Sequence, residues 1–424
     1  MDEQEHLIYA IDLGSKTISL VIAKYAEKNV FGLNVLAMQS TASKGIRRGC
    51  IDDEGEVSRI VNALIQIAEK NIKKTSQTKR FYCLSVSGLA IDTDNSQYKI
   101  TKASQSAVND LDINRLKELA LSKCYCGPDK SIIRATPISY DTDSVSDVAS
   151  PRDYSSTNLT GRFLFTFVQN KSKETLNKII KTSDEVDLFA LGSAKARVLV
   201  TSEDLRNGVM LLDLGAQTTN IAIYYNDRLQ SEASVPFGSD LITNDLSKTL
   251  KIPVQTAEIY KHNLGMATSL ANDIDIDGHQ LNIELYKLTV RARLEEILAY
   301  VDSEIEKAKC WRYIKKIIIT GGGAKLKDIE DYITKFYQIT AIKAKTNYET
   351  PDEEVQQFAG ALGIAALFAR ENKDKLIKQG TLFPTEPQPD ESEPTKEGND
   401  GKGKKSFWGR LGDMLTDNDA DKTF

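Results

Sequence analysis

A duplicated α/β fold with two lobes is what this sequence predicts, and three observations carry that expectation. Residues 11–17 read IDLGSKT and residues 212–218 read LDLGAQT, so Asp12, Leu13, Gly14 and Thr17 have counterparts in Asp213, Leu214, Gly215 and Thr218. Each phrase follows one apolar run, LIYAI or VMLL, and leads into a second, SLVIAKY or IAIYY. A third apolar run, at 317–319, ends in the glycines of TGGG.

Taken in order, LIYAI and VMLL read as buried strands ending at an Asp, and the following runs as their hairpin partners, which makes each D-L-G-x-x-T phrase a turn. Glycine lets backbone approach a ligand closely, and Ser, Thr and backbone N–H groups around it donate to phosphate oxygens. Asp12 and Asp213 would repel phosphate unless a hard cation sat between them, and Mg2+, held by few carboxylates and several waters, is the natural one. At 317–323 a β-branched run meets Gly321, Gly322 and Gly323, and the apolar spacing Leu326, Ile329, Ile333, Phe336 follows. That predicts a strand, a glycine turn and a helix whose N-terminus takes a nucleoside or its α-phosphate. Neither a Walker loop nor a complete G-x-G-x-x-G fingerprint is present.

Between the two halves, LDINRLKELALSKC predicts a helix with Leu111, Ile113, Leu116, Leu119 and Ala120 on its apolar face. SIIRATPISY and RFLFTFV predict strands separated by the polar loop SPRDYSSTNLTG. Further on, LYKLTVRARLEEILAYVDSEIEKAK predicts a long charged helix. From Pro384 to Ser406 no apolar residue occurs, so this stretch predicts a linker. KKSFWGRLGDMLTD follows, in which Phe407, Trp408, Leu411, Met414 and Leu415 fall within an arc of about 120° on a helical wheel. Lys405 and Arg410 border that stripe, the pattern of a helix lying on a membrane surface, and Gly409 and Gly412 weaken it in water until lipid orders it.

Composition narrows the function classes. A chain of 424 residues exceeds what one core organises, and 41% apolar content suffices for two folded lobes. A formal net charge of -5 gives no general pull towards nucleic acid. Cys50, Cys83, Cys124, Cys126 and Cys310 lack zinc-type spacing and predict reduced thiols in a reducing cytoplasm. His6, His262 and His279 are scattered and predict no metal site. The first residues lack a basic signal-peptide region, and no apolar stretch approaches the ~18 residues of a membrane span, so neither secretion nor spanning is expected.

In this order and spacing the three turns resemble the phosphate 1, phosphate 2 and adenosine motifs of the actin/Hsp70/hexokinase superfamily. Within it, the chain looks like the FtsA family of bacterial cell-division proteins. SKGIRRGCIDDEGEV at 43–57 is similar to the family segment S-x-G-[IM]-x-x-G-x-[IV]-x-D, and VPFGSDLITNDLSKTLKIPVQTAEIYKHNLG at 235–265 is similar to its continuation after the second turn. The resemblance covers about residues 1–375, and the tail agrees with the family's membrane-targeting helix.

The resemblance implies an actin-like two-lobed ATPase fold with duplicated mixed-sheet domains, an FtsA-type insertion and a C-terminal amphipathic helix. Its subdomains would be 1A (1–83 and 168–205), the insertion 1C (84–167), 2A (206–240 and 305–380) and 2B (241–304), then a linker (381–403) and the membrane helix (404–418). It assigns ATP to Gly14, Ser15, Lys16 and Thr17, to Gly215, Gln217, Thr218 and Thr219, to Gly238, to Glu258 and Lys261 on the adenosine side, and to Gly321, Gly322 and Gly323. Asp12 and Asp213 would flank Mg2+. Lys287, Arg291 and Arg293 would receive the acidic C-terminal peptide of the tubulin-like protein FtsZ. One departure stands out: Ala216 and Gln217 occupy two positions where the family has glycines.

The function expected is an ATP-binding scaffold with at most weak ATPase activity. It self-associates, meets other division proteins, and tethers FtsZ to anionic lipid at the cytoplasmic face of the inner membrane at the septum. The alternatives are a PilM-like pilus-assembly scaffold, or a small-molecule kinase of the same fold, which needs a further carboxylate base.

Overall fold

A computed structural model describes residues 5–73, 78–180, 186–270, 272–276, 279–345 and 352–377. The first repeated phrase is the turn between antiparallel strands β1 (His6–Leu13) and β2 (Thr17–Tyr25), with Asp12 opposite Ser19. β3 (Leu33–Ala42) pairs antiparallel with β2. Asp53 caps helix α1 (Glu54–Ala68) by accepting from the Glu56 N–H at 3.0 Å, which satisfies one of the otherwise unpaired donors of the first turn. The chain then returns as β4 (Lys79–Val86), parallel to β1.

An insertion follows. β5 (Ile91–Ala107), α2 (Asp110–Lys123), β6 (Lys130–Asp141) and β7 (Ser155–Gln169) make a helix-backed antiparallel sheet in the order β5-β7-β6. α3 (Asn170–Ile179) and β8 (Asp187–Ala190) complete a five-stranded sheet, β8-β4-β1-β2-β3. After α4 (Leu191–Leu199) the pattern repeats: β9 (Val209–Leu214) and β10 (Thr219–Tyr225) form the second hairpin, with Asp213 opposite Asn220. β11 (Arg228–Val235), α5 (Asp240–Leu250), α6 (Val254–Leu264) and α7 (Ile283–Ala308) follow. β12 (Lys316–Thr320), α8 (Ile329–Tyr337) and β13 (Ala341–Lys343) then complete a sheet β11-β10-β9-β12-β13. Its strand order and directions match the first sheet, two antiparallel pairings on one side of the central strand and two parallel on the other.

The central strands are apolar at successive positions because both their faces are covered. Leu7, Tyr9 and Ile11 pack beneath α1 and α3, whereas Ile8 and Ala10 face a core between the sheets. Likewise Met210 and Leu212 face α5 to α8, and Val209 and Leu211 face inward. Two helices fill that middle layer, and they are exchanged. α4 follows the first sheet yet packs on β9, β10 and β11, and α9 (Asp352–Glu371) follows the second sheet yet packs on β1, β2 and β4. They cross where Gly363 leaves no room: a β-carbon there would lie 1.8 Å from the Ala194 carbonyl oxygen.

Several expectations need adjusting. α9 falls in the range assigned to the second lobe but packs on the first sheet, where it covers Ala10 and Val21. The glycines at 321–323 open a short 3-10 turn, Gly322–Lys325, and the helix begins only at Ile329, with Phe336 exposed. In α2, Leu116 and Ala120 are buried while Leu111, in the first turn, is 78% exposed. The loop expected at 150–161 is half strand, since β7 begins at Ser155. The insertion also leans on the second lobe: the Thr166 hydroxyl donates to the Glu232 carboxylate and the Thr93 hydroxyl to the Glu232 carbonyl, both at 2.7 Å. Residues 381–403 and 404–418 lie outside the described residues.

Replacing Gly363 with Ala discriminates crossing from helix propensity. Propensity alone predicts a gain of ~1 kcal/mol, whereas overpacking at the crossing predicts a loss of about 1–3 kcal/mol. The expected result is a lower midpoint in urea and thermal unfolding; a raised midpoint would disprove the close contact.

Candidate functional site

Both repeated turns are built alike. A β-carbon on Gly14 would sit 2.6 Å from the Thr17 carbonyl oxygen and one on Gly215 2.7 Å from that of Thr218, so each glycine is required by the tightness of its own turn. Ser15 is half-buried and Thr17 exposed, while Thr218 and Thr219 are buried and the Thr219 hydroxyl donates to the Phe237 carbonyl at 2.8 Å. Gly238 lies against the second turn, its α-carbon closed in by the Ala216 and Gly215 carbonyls. The Ser239 and Asp240 N–H groups donate to those same two carbonyls at 2.9 and 2.8 Å. Gly321, with φ of 88°, and Gly323 pack on Leu214 at the end of β9, whereas Gly322 has open space where a side chain would be.

Lys16 ties the turns together across the lobes. Its ammonium is 2.8 Å from Glu258 and 3.3 Å from Asp240, at the start of α5. Glu258 also accepts from Thr243 and, at 2.7 Å, from Lys261, whose ammonium further donates to the Thr243 hydroxyl at 2.7 Å and the Ser239 carbonyl at 3.3 Å. The expected adenosine-side pair is therefore adjacent, but Lys261 is 4% exposed and wholly engaged within the protein. Burial works against the Glu258 charge, yet hydrogen bonds from Lys16, Lys261 and Thr243 outweigh it and bring its pKa down to about 2. Burial lowers the Lys261 pKa, with Glu258 opposing the shift.

Gln217, at a family glycine position, accepts from the Arg48 backbone N–H at 3.1 Å, and its amide nitrogen lies 3.5 Å from Asp240. It lines an open cavity of about 160 Å³ with Arg47, Arg48, Pro236 and Asn244. Arg48 itself has φ of 51° and stacks over Phe237 at 5.8 Å. The 43–57 motif thus docks on the second turn from the opposite lobe. Gly88 completes the joint: a β-carbon there would lie 2.1 Å from the Arg48 carbonyl oxygen, and its N–H donates to the Ser234 hydroxyl at 2.6 Å.

Asp12 and Asp213 lie at the strand ends as expected, with relative exposures of 9% and 1%. Sequence reasoning missed what surrounds them. The Lys195 ammonium, from α4, is 2.8 Å from Asp213 Oδ1, and the Asn220 amide donates to Asp213 Oδ2 at 2.8 Å. Ser85 donates to Asp12 Oδ1 at 3.0 Å and accepts from the Leu13 N–H at 2.8 Å. Asp12 Oδ2 faces Gly360 of α9, where a β-carbon would come within 2.1 Å. Burial pushes the Asp12 pKa up, with Lys195 pulling the other way. Burial also disfavours the Lys195 charge, but Asp213 and Asp12 outweigh it and raise its pKa above the ordinary lysine value.

Direct Mg2+ ligation by Asp213 does not fit this donor set. A hard cation needs free oxygens in an open octahedron, and both Asp213 oxygens are already held, by Lys195 and Asn220, as is Asp12 Oδ1 by Ser85. No group of three or more metal-ligating side chains occurs among the described residues. A signal for Asn220 existed, since hairpin register puts the residue seven positions after each Asp opposite it. Lys195, one of two basic residues in a helix of small side chains, carried none.

The three cations on α7 are not brought together. Arg293 is 2.5 Å from Asp245 and from Glu296, Lys287 is 2.9 Å from Glu284, and Arg291 is exposed; Lys287 and Arg291, four positions apart, share a face that Arg293 does not. Lys405, Phe407, Trp408, Arg410, Leu411, Met414 and Leu415 lie outside the described residues.

Comparison with known proteins agrees with this architecture. The family model for cell division protein FtsA matches residues 210–365. The chain is 26% identical to the cell division protein FtsA of Neisseria meningitidis serogroup B over 356 residues, covering 80% of this chain and 84% of that one. It is 24% identical to the cell division protein FtsA of Borreliella burgdorferi over 396 residues, covering 88% and 94%. Among solved structures, the PilM-PilN type IV pilus biogenesis complex superposes with a TM-score of 0.61 at 14% identity, covering 84% of this chain and 97% of that one, a likeness of fold. The resemblance to FtsA cell-division proteins thus runs along most of the chain, and the fold is the actin-like one.

The Glu258 cluster makes a pH prediction. Its folded pKa lies below the ordinary 4.5, so its contribution to stability is present above that range and is lost as pH falls from 4.5 to about 2. Glu258→Gln should flatten the fall of the thermal midpoint across this window relative to wild type. Parallel curves for the two proteins would mean that the cluster contributes nothing.

Proposed function

We propose that this chain is an ATP-binding, actin-like cell-division scaffold of the FtsA type, which self-associates and tethers FtsZ to the inner face of the cytoplasmic membrane at the septum. The observation that carries the reading is the meeting of two like hairpin turns, one from each lobe, across which Lys16 reaches Glu258 and Asp240. Supporting it, the relatives aligned over most of the chain are named as cell division proteins and not as enzymes.

On this reading ATP lies between the turns. N–H groups of 14–17 and 215–219 donate to its phosphates, Lys16 leaves its carboxylate partners for them, and the nucleoside lies against the bare backbone at Gly322. The nucleotide then does across the cleft what the Lys16 ion pairs do without it, favouring the closed, assembly-competent arrangement. Hydrolysis is slow, because Gln217 is held by the Arg48 N–H and is not free to orient a water.

Membrane attachment falls to 404–418, where Phe407, Trp408, Leu411, Met414 and Leu415 enter the acyl boundary and Lys405 and Arg410 meet lipid phosphates. Among the described residues no helix is long and apolar enough to cross a membrane. The acidic FtsZ peptide uses the Lys287 and Arg291 face of α7, with Arg293 holding α7 to α5 through Asp245.

Co-sedimentation with anionic liposomes tests the whole proposal. FtsZ should pellet with vesicles only when this protein and ATP are both present, and a chain ending at residue 400 should bind nucleotide but leave both proteins in the supernatant. Pelleting by the shortened chain would refute the tail assignment. Indifference of FtsZ, with ATP consumption stimulated by a sugar or an organic acid, would move the function to the kinase alternative.

A further inference from the structure

We infer that Lys195 is the resident cation of Asp213 in the cleft: its ammonium is ion-paired with that carboxylate at 2.8 Å, so phosphate binding there needs no metal ligated by Asp213. The inference rests on the nucleotide reading above for its ligand, but its structural part stands on the side chains alone.

Three observations converge. First, the Asp213 carboxylate is engaged on both oxygens: it accepts from Lys195 on one and Asn220 on the other, both at 2.8 Å. Asp12 accepts from Ser85 on one oxygen at 3.0 Å, and its second oxygen lies on the Gly360 side, where an added β-carbon would come within 2.1 Å. Magnesium demands six oxygens at about 2.0–2.1 Å and keeps several waters among them, and at Asp213 the protein's own donors already hold both oxygens.

Second, the position of Lys195 is imposed by the fold. α4 leaves the first sheet and packs on the second, so a lysine at its middle reaches Asp213 at the end of β9 while remaining in the field of Asp12 at the end of β1. Gly192, one helical turn earlier, presses α4 on the Ile221 carbonyl of β10, at 2.9 Å from a would-be β-carbon, and Gly363 pins it from the other side at Ala194. The lysine therefore has a fixed stem and a short reach.

Third, the charge at Asp213 is already met by the protein. The Lys195 ammonium offsets that carboxylate, and Lys16, on the first turn, is a second cation of the same cleft, paired with Glu258 and Asp240. Bringing phosphate to an uncompensated buried carboxylate would be strongly unfavourable, and the ammonium removes most of that penalty without an ion from solution.

The test uses the full-length chain in EDTA, MgCl2 or MnCl2 at matched ionic strength, reading the thermal midpoint without nucleotide and the affinity for a fluorescent ATP analogue. Wild type should show no midpoint change with either metal in the absence of nucleotide. Lys195→Met should melt lower in EDTA and regain stability with MnCl2 or MgCl2, because the bared carboxylates then accept a divalent ion. Lys195→Met combined with Asp213→Asn removes both charges and should lose the metal response, which keeps the test readable if the single variant folds poorly. A wild-type midpoint raised by Mg2+ or Mn2+ in the absence of nucleotide would overturn the inference. Absence of ATP binding in every buffer would sink the nucleotide reading instead, and the metal responses without nucleotide would still decide the role of Lys195.

Discussion

Two carboxylates buried at the ends of the central strands impose the condition that the rest of this structure meets. A lone carboxylate in such a place costs several kcal/mol of lost hydration, so each must find donors within the protein. Asp12 finds Ser85 on the neighbouring parallel strand, and Asp213 finds Asn220 on its own hairpin and Lys195 on α4. Through Asn220 the chain of contacts runs on to Ser234 and to the Gly88 N–H in the opposite lobe. The polar set around Asp213 thus spans both lobes, from Lys195 on α4 to the Gly88 N–H.

That set exists because α4 and α9 change sides. Each helix begins next to one sheet and covers the other, and their crossing is possible only because Gly363 lets α9 approach the Ala194 carbonyl. The same approach seats Gly360 on Asp12 and holds α4 where Lys195 meets Asp213. Small residues in the middle layer, Ala359, Ala361, Ala365 and Ala366 on α9 with Ala194 and Ala196 on α4, are what allow two helices between two sheets. Burial, charge and helix crossing are therefore one constraint seen from three directions.

Much of this was legible in the sequence. The two D-L-G-x-x-T phrases, each between apolar runs, located both hairpins and, with the run at 317–319, the central strands, because strand period and turn chemistry are local properties. The tight turns at Gly14 and Gly215 were legible for the same reason, since a glycine required by a turn stands in a recognisable phrase, whereas Gly238 was singled out only through the family resemblance. Lys195, Ser85 and Gly360 were not, because each acts on an Asp at least eighteen positions away and only the exchanged helices and parallel strands bring them together. Glu258 and Lys261 were recognisable as a pair, but not that Lys261 would be buried with every donor engaged, which depends on how α5 and α6 pack. The 3-10 turn after Gly321 defeated a helical reading because Asp328, with φ of 63°, interrupts the apolar spacing before Ile329.

The exchange of helices also governs how the chain comes into being. β1, β2 and β3 emerge from the ribosome first, but the helix that seals their inner face is encoded roughly three hundred residues later, a delay of about 15–60 s at ordinary synthesis rates. Through that interval Ile8, Ala10, Val21 and Ala23 have no α9 to cover them. The first sheet is therefore a late-maturing element despite its early position, and the amino-terminal half made alone would be a sticky fragment instead of a lobe.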